Sequence, residues 1–367
     1  MRGKKPPDEL PACYAIVHPG LEEVAAEEIE QELGGEIKKS GLGVVVFRLA
    51  EIDRRILQLR TTEDVFLLGW GTDELSYRAQ DLESIRRWTE KVNWAKLLAL
   101  HHAIRPKPKG KPTYNLIAQM NGQRGYRRVD ALKSMARGLT DKFPASWKQA
   151  EENAAIEFWL TIEAAMAVCG LRLSDRTMRH RTYKVEHLPA SLRPTLAAAM
   201  VRLAEPRPGM TVLDPMCGAG TLLAETLEYA RGKKRGDPLA GNITLWGGDV
   251  ETPHVKAAED NLRRLGAVRL ETWDARRLPV GDASVDRILC NPPFGKQLST
   301  PEEIRPLYRD TIREMDRVLR PGGRAVLLVS DVPALRAALE PVAWKKVRAV
   351  NVRILGQRST IGVYRKA

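Results

Sequence analysis

With 367 residues, the chain is long enough for two or three domains that each bury a core of their own. Its 59 Lys and Arg against 46 Asp and Glu leave a formal net charge of +13, so a polyanion, nucleic acid above all, is the partner class that charge favours. A membrane span, a secretory leader, a disulfide framework and a metal site are not expected: there is no run of about 18 apolar residues, the start is charged and Pro-rich, and Cys13, Cys169, Cys217 and Cys290 form no C-x-x-C pair. A reduced, cytoplasmic chain without an obligate protein partner fits these features.

The first segment reads as strand, helix, strand, helix, strand. Tyr14 to Val17 is a short apolar run, and Pro19 opens a helix whose Leu21, Val24, Ala25, Ile29 and Leu33 recur at helical spacing until Gly34 and Gly35 stop it. Val44 to Leu49 is dense in β-branched residues, Glu51 to Leu59 shows helical spacing again, and Val65 to Trp70 closes the unit as a strand. That order predicts a ferredoxin-like α+β domain over residues 1–75.

Over residues 76–173 the pattern changes. Helical spacing around Leu82 to Ala99 leads into a basic, Pro-rich loop carrying Arg105, Lys107, Lys109 and Lys111, in which proline rings oppose a helix. A strand from Tyr114 to Met120 is followed by a Gly-containing turn with Arg124, Tyr126, Arg127 and Arg128, residue types that contact phosphates and stack on bases. Such charge runs also serve simply as solvated faces. A helix (Ala131 to Lys142) and two strands (Ala155 to Ile162, Ala165 to Leu173) complete this segment.

Residues 174–188 are polar and basic and read as a linker, and 189–367 as the last domain. There a helix around Leu192 to Leu203 precedes strands at Thr211 to Leu213, Ile243 to Gly247, Val268 to Thr272, Val285 to Cys290 and Arg324 to Val329. Helices at Thr221 to Ala230, Pro253 to Leu265 and Pro301 to Leu319 alternate with them. Regular alternation predicts a Rossmann-like, doubly wound, mostly parallel α/β sheet.

In such a sheet, ligands bind above the carboxyl ends of the strands. The first strand ends in Asp214-Pro215-Met216-Cys217-Gly218-Ala219-Gly220-Thr221, which lacks the third glycine of a dinucleotide-binding turn and the G-K-[ST] of a P-loop. The second strand ends at Asp249, where a carboxylate can accept both hydroxyls of a ribose. The third leads into Asp274-Ala275, where an acid can receive an adenine amino group. One such acid is ordinary in a loop; three at consecutive strand ends point to a ligand.

The fourth strand ends in Asn291-Pro292-Pro293-Phe294. Two adjacent prolines hold an extended turn without competing amide hydrogens. If the Asn291 side-chain oxygen and the Pro292 carbonyl both accept hydrogens from an exocyclic amine, the nitrogen is drawn towards tetrahedral geometry and its lone pair becomes available. Phe294 would stack on the base.

The D-P-x-C-G-x-G-T segment resembles the first motif of class I methyltransferases, and Asn291 to Phe294 the [DNS]-P-P-[YF] motif of amino methyltransferases. The N-terminal order of elements resembles the THUMP module with its companion domain, here 76–173 and 1–75. Together these features resemble the THUMP-containing tRNA guanine-N2 methyltransferases over essentially the whole chain, and Asn291-Pro292-Pro293-Phe294-Gly295-Lys296-Gln297 looks closest to the branch that modifies position six of tRNA. The resemblance implies S-adenosylmethionine as cofactor, held by Asp214, Gly218, Ala219, Gly220, Asp249, Asp274, Ala275 and Asn291. It also brings in Pro189, Ala190 and Ser191, although Pro and Ser there equally suit a helix start. It implies tRNA as partner, with Arg105, Lys107, Lys109, Arg124, Arg127, Arg128 and Lys296 as RNA contacts and Asn291, Pro292 and Phe294 as catalytic residues. Open alternatives are a guanine-N2 methyltransferase of ribosomal RNA or of another tRNA position, an RNA cytosine-C5 methyltransferase using Cys290 or Cys217 as nucleophile, and a non-catalytic RNA-binding protein.

Overall fold

The computed structural model describes residues 12–106, 110, 112–143, 146–189, 191–232, 242–293, 301–354 and 356–367. Contacts group these into two compact units: residues up to Val17 with Ala26–Met178, and His18–Ala25 with Arg179–Ala367.

In chain order the first elements are β1 (Ala12–Val17), α1 (Glu22–Leu33), β2 (Glu36–Gly41), β3 (Val44–Arg48), β4 (Thr62–Thr72), α2 (Asp81–Lys91), α3 (Trp94–Ile104), β5 (Thr113–Met120), α4 (Arg128–Gly138), β6 (Lys148–Gln149), β7 (Ile156–Glu163) and β8 (Met166–Arg172). All eight strands join one sheet in the order β2-β3-β1-β4-β8-β7-β5-β6. Because β4 pairs directly with β8, the spans 1–75 and 76–173 contribute to a single sheet. Phe66 on β4 stacks on Tyr14 at 4.5 Å between ring centroids and meets Trp159 of β7 edge-on at 5.6 Å, so aromatic packing bridges the same join.

Two local expectations need correcting. Glu51 to Leu59 is not a full helix; only Arg54–Gln58 winds, as a 3-10 turn, because the Asp53 carboxylate accepts the Arg55 N–H at 2.7 Å and tightens the start. Conversely, Glu36–Gly41 forms β2, a strand whose sequence EIKKSG offers almost no apolar alternation. It is held by antiparallel pairing with β3.

After α5 (Thr177–His180), the second unit contains α6 (Pro194–Ala204), β9 (Thr211–Asp214), α7 (Thr221–Gly232), β10 (Thr244–Asp249), α8 (Thr252–Leu262), β11 (Arg269–Thr272), β12 (Val285–Cys290), α9 (Pro301–Val318), β13 (Leu319–Val329), α10 (Val332–Leu339), β14 (Trp344–Ile354) and β15 (Gln357–Lys366). The sheet order is β11-β10-β9-β12-β13-β15-β14. The first five are parallel, as predicted, while β15 and β14 close the sheet as antiparallel strands. Strand residues alternate between two apolar layers. Val212, Leu289, Val326 and Leu328 face the layer containing α6, α7 and α8; Leu213, Ile288, Ala325 and Leu327 face the layer containing α9 and α10. Both faces are therefore covered, which is what a doubly wound sheet requires.

The chain steps from β9 outward to β10 and β11, then returns to place β12 on the other flank of β9. This reversal opens a crevice above the carboxyl ends of β9 and β12. Among the described residues, no helix is long and apolar enough to cross a membrane and no cluster of His, Cys, Asp or Glu could hold a metal ion.

Candidate active site

Asp214 ends β9 and is 1% exposed. Burial, helped by the nearby Asp249 carboxylate, pushes its pKa well above the usual carboxylate range. The chain then turns back through Cys217, whose N–H donates to Gly248 O (2.8 Å) and whose carbonyl accepts from Gly220 N–H (2.8 Å). Gly218 and Gly220 have φ of +50° and +73°, a region that disfavours side chains. A Cβ at Gly220 would also press on Ala258 Cβ at 3.0 Å, so α8 can lie close to the turn only over glycine.

Asp249 ends β10 with its side chain largely buried. One carboxylate oxygen accepts the Gly218 N–H at 3.0 Å; the other accepts the Glu251 N–H at 3.2 Å and lies 3.0 Å from His254 Nδ1. Trp273, just past β11, ties the neighbouring strand ends together. Its backbone N–H donates to Asp249 O at 3.0 Å and its indole N–H to Pro215 O at 3.0 Å. Gly248 makes room for that indole, since a Cβ there would come within 2.4 Å of the ring and of Glu271 O. Sequence reasoning missed Trp273; the available signal was a large aromatic at a strand end facing the Gly247-Gly248 pair.

Asp274 follows Trp273, and Ala275 beside it is buried. The Arg276 guanidinium, bonded to both Asp274 carboxylate oxygens, lowers the Asp274 pKa and keeps it ionised. Asp214, Gly218, Ala219, Gly220, Asp249, Asp274 and Ala275 thus lie on loops stitched to one another at the carboxyl ends of β9, β10 and β11.

On the other flank of β9, Leu213 sits opposite Ile288 of β12, so the two chains leave the sheet side by side at Asp214 and Cys290. Asn291 is half-buried, and its Oδ1 is buried with no hydrogen-bond partner among the described residues. A buried acceptor left unpaired costs on the order of 1–3 kcal/mol, which marks it as waiting for a donor. Pro292 is buried, and the Tyr308 hydroxyl of α9 lies 3.5 Å from Pro293 O, steadying the turn. Phe294, Gly295, Lys296 and Gln297 lie outside the described residues.

Upstream of α6, the Ser191 N–H donates to Leu188 O at 3.1 Å, and the Ser191 Oγ is a second buried group with no partner among the described residues. Pro189 belongs to the same turn; Ala190 lies outside the described residues. The glycine turn, the carboxylates and the orphaned hydroxyl fit S-adenosylmethionine. Asp249 suits its ribose, Asp274 its adenine, and the Gly218–Gly220 backbone with Ser191 its methionyl end.

Cys290 and Cys217 are buried, and burial together with neighbouring carboxylates drives both thiols well above their ordinary pKa. A nucleophilic cysteine needs accessible thiolate. Neither residue meets that condition, so the cytosine-C5 alternative loses its nucleophile.

The basic residues proposed from sequence separate into two groups. Arg105 donates to Leu173 O and to the Asp175 carboxylate, both at 2.7 Å. Arg124 donates to Ala164 O and lies over the Tyr77 ring, 4.4 Å from its centroid. Both guanidinium heads are engaged within the first unit, and both residues are partly exposed. Arg127 and Arg128 are more exposed, the Arg127 side chain 80% so, although Arg127 also pairs with the Asp130 carboxylate and Arg128 Nη1 donates to Ala118 O at 3.3 Å. Lys107, Lys109 and Lys111 lie outside the described residues.

Comparisons with known proteins point to a methyltransferase. Residues 181–360 match the family model described as UPF0020, the RMKL-like methyltransferase domain. A tRNA (guanine(6)-N2)-methyltransferase of Thermus thermophilus is 28% identical over 344 residues, covering 92% of this chain and 95% of the relative. The bovine tRNA (guanine(6)-N(2))-methyltransferase THUMP3 is 33% identical over 240 residues, 63% of this chain but 47% of its own, so this chain spans about half the length of that relative. The crystal structure of TrmN from Thermus thermophilus superimposes with a TM-score of 0.77 at 27% identity, covering 97% of this chain and 99% of that one. Residues 181–360 are similar to the RMKL-like methyltransferase domain, and the chain is an S-adenosylmethionine-dependent methyltransferase.

Proposed function

We propose that the protein is a tRNA (guanine-N2-)-methyltransferase acting on a guanosine at position six of the acceptor stem, in the cytoplasm. The observation that carries this reading is the Asn291 Oδ1, buried and without a partner among the described residues at the end of β12, in a turn whose next two residues have no amide hydrogen. S-adenosylmethionine supplies an electrophilic methyl group. Asn291 and the Pro292 carbonyl supply two acceptors for the two hydrogens of a base amine.

The amine lone pair of guanine is delocalised into the ring. Two acceptors converging on its hydrogens favour a tetrahedral nitrogen, and they act most strongly as positive charge builds there in the transition state. No base is required before transfer, and none of the groups lining this turn needs an altered protonation state. Phe294 would hold the plane of the flipped base by stacking.

The names of the Thermus and bovine relatives favour tRNA and position six. The first unit would grip the tRNA backbone, with Arg127 and Arg128 among its contacts. Four cysteines, all free and buried, suit the reducing cytoplasm. Replacing guanosine by inosine at position six of a tRNA transcript removes the exocyclic amine and leaves the rest of the base in place. Methyl incorporation is expected to vanish; undiminished incorporation would overturn the assignment of the target.

A further inference from the structure

The segment from Arg181 to Leu192 does more than join the two units. It runs as a strap along α7 and α8. Arg181 Nε and the Tyr183 hydroxyl both donate to Glu225 Oε1, at 3.2 and 2.8 Å, and the Glu225 side chain is fully buried. Lys184 Nζ donates to Leu192 O at 2.8 Å, closing residues 185–191 into a loop.

Asn261, on α8 and 2% exposed, grips the middle of that loop. Its Oδ1 accepts the N–H groups of Val185 and Glu186, both at 2.8 Å. Its Nδ2 donates to Glu186 O at 3.1 Å and to Ala219 O at 2.9 Å. Both acceptor positions and both donors of the amide are thereby used, a complete set for this side chain. Three of the bonds go to the strap that leads into Pro189 and Ser191. The fourth goes to the middle residue of the Gly218–Ala219–Gly220 turn.

We propose that Asn261 is a positioning residue for S-adenosylmethionine, fixing the separation between the glycine turn and the Ser191 loop. The proposal rests on the assignment of these two loops to the donor site. Asn261 acts through backbone alone. An aliphatic side chain of similar size would fill the space but strip the Asn261 bonds from two strap amides and from the Glu186 and Ala219 carbonyls. Aspartate keeps the shape but turns a carboxylate oxygen towards two carbonyl oxygens, a repulsion that pushes the two loops apart.

The test uses the full-length protein and S-adenosylhomocysteine, titrated by calorimetry against wild type, N261D and E225Q, with thermal unfolding measured in parallel. E225Q weakens the other end of the strap but does not touch the glycine turn, so it reports what loss of stability alone does to binding. N261D is expected to weaken binding about tenfold or more, well beyond E225Q at comparable loss of stability. It is also expected to raise KM for S-adenosylmethionine while kcat at saturating cofactor stays near wild type. Should N261D fail to fold, N261Q carries the same amide one methylene further out and is read in the same way. Wild-type affinity in the folded variant, or a loss no greater than that of E225Q, would overturn the proposal. A wild-type protein that does not bind S-adenosylhomocysteine would instead overturn the donor-site assignment beneath it.

Discussion

Asn291→Ala is expected to lower kcat by a factor on the order of 10²–10³, the usual effect of removing one preorganised hydrogen-bonding group aimed at transition-state charge. Affinities for S-adenosylhomocysteine and tRNA should change little, because the Asn291 Oδ1 holds no hydrogen-bond partner among the described residues whose loss would disturb the fold. Removing an orphaned buried acceptor should, if anything, leave the unfolding midpoint unchanged or slightly raised. Cys290→Ala is the control. Cys290 lies in the apolar layer beneath the site with α9 and α10, so its replacement should cost about 0.5–3 kcal/mol of stability and leave turnover largely intact. Single-turnover measurements of both variants on one transcript separate the readings. An inactive, folded Cys290→Ala beside an active Asn291→Ala would restore the cysteine mechanism.

Asp249→Ala should weaken S-adenosylmethionine binding by about tenfold to a hundredfold, since hydrogen bonds to a charged group contribute roughly 1.5–3 kcal/mol. The upper end is the better expectation. Asp249 also accepts the Gly218 N–H at 3.0 Å, so the variant loses both a ribose acceptor and a tie that shapes the glycine turn. Asp249→Asn should fall between, keeping an acceptor but losing the charge. Calorimetric titration gives the ranking, and unchanged affinity in Asp249→Ala would remove the carboxylate from the donor site.

The carboxylates at the strand ends were legible because a parallel sheet with both faces covered puts every strand end on one rim. Once β9, β10 and β11 are read from their apolar runs, Asp214, Asp249 and Asp274 have nowhere else to go. Asn291-Pro292-Pro293 was legible for the same reason, standing at the end of the dense strand β12. What the sequence concealed depends on partners far along the chain. The strand β2 is polar and half-exposed and exists through its pairing with β3. The edge strand β14, with Lys345, Lys346 and Arg348 among its residues, is likewise fixed by pairing with β15. Arg105 looked like one member of a basic run, yet its head is captured by Leu173 and Asp175, 68 and 70 residues away. Helical spacing puts Asn261 on the buried side of α8, but nothing local tells that its amide spans two loops, one of them 42 residues upstream.

The reaction proposed for the Asn291 turn is transfer of a methyl group to a guanine exocyclic nitrogen. The most direct measurement is mass spectrometry of nucleosides from an unmodified tRNA transcript incubated with the protein and methyl-labelled S-adenosylmethionine. Label is expected in N2-methylguanosine, with about 10²–10³-fold slower formation by Asn291→Ala. Label in 5-methylcytidine, or N2-methylguanosine formed equally well by Asn291→Ala, would contradict the proposed reaction.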